Sequence, residues 1–149
     1  MKNVKRDIVS AVIVSKDGKV LLAKPQKGGV WENCWRIIGG GVEEEEARQQ
    51  ALTREVREEV GIDITNISPI LLSDSSTAEA IKTDRQTGEK YRAIMHFFTY
   101  RIDLAEDAKD TSVILGEELQ IFTWVLPEKL RNYEHTPPSI TLFTSLGWL

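Results

Sequence analysis

Gly40-Gly41-Val42-Glu43-Glu44-Glu45-Glu46-Ala47, continued by Arg54-Glu55-Val56-Arg57-Glu58-Glu59-Val60-Gly61-Ile62, is the stretch on which the reading of this 149-residue chain turns. From about Val42 to Val60 the apolar residues Ala47, Ala51, Leu52, Val56 and Val60 recur at three- and four-residue steps, which predicts a helix with Gly61 as its stop. Each residue advances by about 100°, so with Glu55 at zero Glu58 falls near about −60° and Glu59 near about +40°. Leu52, Val56 and Val60 follow at about +60°, +100° and +140°, so the acidic face borders the apolar one and Glu59 sits nearest the core. Arg54 and Arg57 are expected to point toward the other side. A helix shaped by stability alone would not crowd like charges beside its buried stripe. A hard divalent cation needs oxygen ligands of this kind and reverses their repulsion. Glycines just ahead let backbone approach a metal or phosphate without a Cβ in the way. Alone, Glu43 to Glu46 reads as a solvated first turn favoured by the helix dipole, and the later glutamates equally as a surface helix.

The rest of the chain predicts a β-rich surround. Ile8 to Val14 reads as a buried strand, Asp17-Gly18 as a hairpin turn, and Lys19 to Lys24 as the returning strand. Pro25 to Gly29 is expected as loop, Trp31 to Ile38 as strand, and Gly39-Gly40-Gly41 as a break in regular structure. Ile62 to Leu72 and Tyr91 to Ile102 read as strands, with Ser73 to Lys90 a long loop or a loose hairpin end. Leu119 to Leu126 completes the strands, Pro127 opens a short helix, and a last helix is expected over Ser139 to Leu146. With no internal repeat or linker, residues 1–149 are expected to form one α+β domain. Nineteen Lys and Arg against 23 Asp and Glu give a net charge of −4, which argues against a nucleic-acid polymer as partner. No apolar run is long enough to span a membrane, no leader is evident, and the lone Cys34 suits a reducing compartment, so a cytoplasmic protein is expected.

Spacing sharpens the central stretch. It fits Gly-x5-Glu-x7-Arg-Glu-U-x-Glu-Glu-x-Gly-U, with U a bulky aliphatic residue, at Gly40, Glu46, Arg54, Glu55, Val56, Glu58, Glu59, Gly61 and Ile62. A chance match in such a chain is on the order of one in a million or rarer. The pattern resembles the signature of the Nudix hydrolases. The resemblance extends to the hairpin before it, to Trp35, and to Trp124-Val125 with Pro127, Glu128 and Leu130. It implies an α+β fold, an α/β/α sandwich with a mixed sheet. It also implies a Mg²⁺- or Mn²⁺-dependent hydrolase of nucleoside diphosphate derivatives. Glu55, Glu58 and Glu59 are then the metal ligands, one of them serving as base, with the Gly39 carbonyl as a further ligand. Arg54 and Glu46 would orient the carboxylates. Glu118, six residues before Trp124, matches a distal metal ligand, with Glu117 the neighbouring alternative. Two positions depart from the usual pattern: Ile38 stands where Pro is common, and Glu45 where Gly is frequent.

Lys24, Trp31, Arg85, Lys90, Tyr91 and Arg92 are candidate substrate contacts, and Lys27 a weaker one. Trp35, His96 and His135 are expected to be structural. ADP-ribose-cleaving members often carry proline about sixteen places past the signature, and dinucleotide-cleaving members a nearby tyrosine; here Ala78 stands there, flanked by Thr77 and Glu79. The Ser73-Asp74 start, the charged segment Arg85 to Lys90 and the Glu117-Glu118 pair look similar to small bacterial nucleoside triphosphatases of the family. The expected reaction is therefore cleavage of an NTP or dNTP to monophosphate and pyrophosphate, by a monomer or homodimer. Its alternatives are another nucleoside diphosphate derivative as substrate, or a ligand-sensing domain without catalysis.

Overall fold

The computed structural model describes residues 1–28 and 31–149. Its core is β1 (Lys2–Val14), whose β-branched run makes it the strand on which the others assemble. β2 (Val20–Pro25) returns antiparallel through the Asp17-Gly18 turn, where Gly18 takes φ 82°. The Ser15 hydroxyl and the Ala108 N–H both donate to Asp17 Oδ1, at 2.6 and 2.9 Å, and fix that turn. β3 is Ile38–Gly41, β4 Ile70–Thr83, β5 Lys90–Asp103 and β6 Leu119–Val125. They form a mixed six-stranded sheet in the order β4-β5-β1-β2-β6, with β3 on β1. β1 and β5 run parallel over their whole lengths; the other pairings are antiparallel.

Two helices cover the two faces. α1 (Arg48–Val60) lays Ala51, Leu52, Val56 and Val60 on Val9, Ala11, Ile13, Leu21 and Ala23. α2 (Pro137–Ser145) places Phe143 against Val12, Val14, Val20 and Leu22 on the opposite face. Alternation along β1 thus divides its side chains between two cores, and the α+β sandwich follows. Gly61 closes α1 in the left-handed region at φ 69°, as its position predicts. No helix is long and apolar enough to cross a membrane among the described residues.

Several elements differ from expectation. Gly39-Gly40-Gly41 continues regular structure as β3, pairing Ser10 with Gly39, Val9 with Gly40 and Ile8 with Gly41. The strand expected at Trp31 to Ile38 is a turn at 31–34 followed by two isolated bridges, Ala23 to Arg36 and Trp35 to His135. Of the loop expected over 25–29, Gly29 lies outside the described residues. α1 begins at Arg48 instead of Val42, because 42–47 form a turn with Glu45 at φ 62°. The alternation at Ile62 and Ile64 belongs to a loop whose isoleucines pack on the α1 core; the Asp63 side chain accepts the Thr65 N–H at 2.9 Å and turns the chain. The polar stretch after Leu72 is β4, an edge strand that hides little on either face and so lacks an apolar period.

Candidate active site

The sheet and α1 meet where side chains are smallest. β3 brings the glycines under the helix, and a Cβ on Gly40 would lie within the Glu55 carboxylate. Only glycine lets that carboxylate rest on the strand. One residue earlier, the Gly39 N–H donates to Glu59 Oε1 at 3.1 Å. Glu59 is 7% exposed, and burial pushes its carboxyl up to about 7, with the charges of Glu55 and Glu118 adding to the rise. The Gly39 N–H and the charge of Arg36 oppose it without cancelling it.

Arg54 joins the cluster, contrary to the expectation that it points away. Its Nε and Nη2 donate to Glu46 Oε2 and Oε1 at 2.8 and 2.9 Å, a two-pronged fork. Nη2 also donates to the Gly41 carbonyl at 3.0 Å, while Nη1 reaches Glu55 Oε1 at 2.9 Å and Glu58 Oε2 at 3.3 Å. A long arginine reaches around the helix where its Cβ direction alone would not take it. The Arg54 hydrogen bonds hold the Glu46 carboxyl down at about 2, and Arg54 itself is held more firmly protonated. Arg57 does point away, toward Asp63 at 3.3 Å.

Glu118 arrives from the far side on a strap. The Ile114 and Gly116 N–H groups donate to the Val60 and Glu59 carbonyls at 3.0 and 2.9 Å, satisfying acceptors at the end of α1. A Cβ on Gly116 would strike the Glu58 carbonyl, so the strap passes there only as glycine. Glu118 is exposed, yet its charge acts on Glu59. Glu46, Arg54, Glu55, Glu58, Glu59, Gly39 and Glu118 therefore gather in one region. The donor set is all oxygen, acidic and only partly neutralised, which suits Mg²⁺ or Mn²⁺. Among the described residues, no three His, Cys, Asp or Glu side chains form a ready-made cage around one point. Arg36 is a site neighbour that the sequence reading missed. Alternation in Trp35-Arg36-Ile37 was its signal, since Trp35 and Ile37 pack on the α2 core and Arg36 faces the other way.

The expected substrate contacts separate into two places. Lys24 lies over the Trp35 ring at 4.8 Å, and Trp35 meets Tyr133 edge-on at 5.8 Å, so this tryptophan is a packing element. Lys24, Lys27, Glu32, Asn33, Gln120 and Ile121 line a cleft of about 370 Å³ beside β6, the strand that follows Glu118. Trp31 is 51% exposed in the same loop region, at φ 57°. Arg85, Lys90 and Tyr91 line a separate concavity at the β4–β5 tip, with Arg92 beside them on β5 and paired to Glu79. Gly41 pairs with Ile8 and Tyr91 with Lys2, so at about 3.3 Å per residue the tip lies roughly 20 Å from β3. The structure does not bring these four residues to the acidic cluster. His135, buried, shares a hydrogen bond with the Leu130 carbonyl at 2.7 Å, and His96 stacks on Phe98 at 4.4 Å; neither adjoins the glutamates.

A sequence profile of the NUDIX domain matches residues 4–145. Nucleoside triphosphatase NudI of Escherichia coli K12 is 35% identical over 127 residues, covering 82% of this chain and 83% of that protein. The solution structure of the E. coli ORF135 protein superposes with a TM-score of 0.64 at 27% identity, covering 98% of this chain and 89% of that one. The E. coli dihydroneopterin triphosphate pyrophosphohydrolase gives 0.66 at 20% identity, covering 93% and 92%, a likeness of fold.

Proposed function

The chain belongs to the Nudix hydrolase family, and from that membership we propose that it splits a nucleoside triphosphate into the monophosphate and pyrophosphate with a bound divalent cation. The observation that carries this is the acidic seam, where Glu59, buried on α1, is held by the Gly39 N–H of β3 while Glu55 rests on Gly40. Glu55, Glu58 and Glu59, with the Gly39 carbonyl and Glu118, would hold Mg²⁺ or Mn²⁺. Bound there, the cation supplies neutralisation of phosphate charge and a lowered pKa for water. The protein's own part is positional. Glu46 clamps Arg54, and Arg54 fixes Glu55 and Glu58, so the carboxylates face the phosphates already oriented. A carboxylate of this set takes the proton as water oxygen bonds to phosphorus and the anhydride P–O bond breaks to release pyrophosphate. The cleft at Lys24 and Lys27 offers two cations and a volume of about 370 Å³, within reach of Glu118 along β6, for the nucleoside end.

The triphosphate reading rests on the name of the E. coli relative and on the missing proline and tyrosine near Ala78. Phosphorus NMR of the products tests it. Nucleoside monophosphate and pyrophosphate are expected, with activity abolished by EDTA and restored by Mg²⁺ or Mn²⁺. Rapid hydrolysis of ADP-ribose or a nucleotide sugar with triphosphates untouched would overturn the substrate class. Full activity in EDTA would overturn the mechanism.

A further inference from the structure

The register of the outer sheet sorts charge by face in a way the acidic seam does not use. On the side opposite α1, one cross-strand row reads Lys2, Tyr91, Lys82, and the next reads Val4, Ala93, Ala80. A third row, Arg6, Met95, Ala78, continues it toward the body of the molecule. These three rows carry cations, apolar residues and an aromatic ring, with no carboxylate among them. The acids Asp7 and Glu79 stand on the other face, where Glu79 pairs with Arg92 at 3.8 Å. Directly opposed side chains in a sheet lie about 5 Å apart, so Lys2 and Lys82 flank the half-buried Tyr91 ring at close range.

Above this row the 84–89 turn closes a concavity of about 730 Å³, to which Arg85 adds a third cation; Lys90, opposite Thr83, lines its rim from the other face of the sheet. The acids at its rim are Asp84 and Glu89. Asp84 Oδ1 is engaged inside the turn, accepting the Gln86 and Thr87 N–H groups at 2.8 and 3.2 Å. Among the described residues, none of Lys2, Lys82, Arg85 and Lys90 takes part in an ion pair. Three unpaired cations, Lys2, Lys82 and Arg85, around one hollow repel one another, in a chain whose net charge is −4. A bound anion would reverse that repulsion, and the ring beneath offers a face on which a planar base stacks. The volume is that of a site for a small molecule, within the usual range of about 300–1,000 Å³.

We infer that the β4–β5 tip is a second ligand site, separate from the catalytic seam, which binds a nucleotide with its phosphate between Lys82 and Arg85 and its base on Tyr91. The test is a titration of the ¹⁵N-labelled protein with adenosine 5′-monophosphate in EDTA, which keeps the metal-dependent seam unloaded. Amide shifts across 82–91 and at Lys2 are expected. Combined Lys82→Glu and Arg85→Glu should weaken binding about tenfold or more, while Glu58→Gln leaves the tip titration unchanged. Tyr91→Leu keeps an apolar side chain on the strand and should weaken AMP more than inorganic phosphate. Shifts confined to 39–59 and the Lys24 cleft would overturn the proposal, as would charge reversal without effect. Equal affinity for inorganic phosphate and AMP would overturn the base contact. These outcomes are independent of triphosphate hydrolysis.

Discussion

Glu59 carries the strongest chemical tension at the scale of single residues. A carboxyl raised from an ordinary 4.5 to about 7 binds its proton more tightly in the folded chain than in the unfolded one. Stability from this group is therefore full below about pH 4.5 and is lost as pH rises through about 7 in the metal-free protein. Glu46 behaves oppositely: held at about 2 by Arg54, it favours the fold above about 4.5 and ceases to as pH falls toward 2. Glu59→Gln should thus melt several degrees higher than the parent protein near pH 8 in EDTA, by at most roughly 3 kcal/mol, with the curves converging near pH 4. With Mg²⁺ present the same variant, like Glu58→Gln, should lose several orders of magnitude in turnover. Calorimetry and steady-state kinetics on one preparation check both halves. The glutamates were legible in sequence because signature spacing and helical phase agree on them. The placement of Arg54 was not, because helical phase tracks a Cβ direction and a guanidinium reaches several ångströms beyond it.

Among the elements, β3 and the turn after it decide how the site is held. Gly40→Ala places a methyl group against the far end of a flexible side chain, the Glu55 carboxylate, so the fold should tolerate it. Displacing that carboxylate should cost about tenfold to a hundredfold in kcat with little change in melting temperature. Glu45 adopts φ 62°, a conformation that costs a side-chain-bearing residue about 1 kcal/mol or more. Glu45→Gly should therefore raise the melting temperature by about 2–4 °C without changing kcat, as differential scanning would show. The sequence pattern located both strands of the first hairpin, the catalytic helix and its glycine stop. It failed where the cause of structure is not periodic. Three glycines read as a break, though they pair with β1 as β3, and the missing Gly40 side chain is what lets the Glu55 carboxylate of α1 rest there. Ile62 and Ile64 read as a strand, though an Asx turn with two buried isoleucines gives the same alternation.

For the molecule as a whole, the proposed function makes metal binding, proton release and folding one linked equilibrium. At the proposed site, cation binding would displace the proton that Glu59 holds near neutrality, so affinity should rise with pH through about 7. The melting shift produced by Mg²⁺ should grow between about pH 6 and pH 8, and hydrolysis should climb toward alkaline pH; an optimum near 5 would contradict it. The strap from Ile114 to Glu118 gives this linkage a consequence in the permitted length of the chain. Its amides end α1 at Val60 and Glu59, and two residues past Gly116 it delivers Glu118, whose charge acts on Glu59. Helix terminus and Glu118 are thus measured out by the same ruler. An insertion inside 114–118 would shift Glu118 out of step with Glu59, whereas one at exposed Ser112, just before the strap begins, would be absorbed. Homologous chains should vary in length at 112 and keep the count from Ile114 to Glu118.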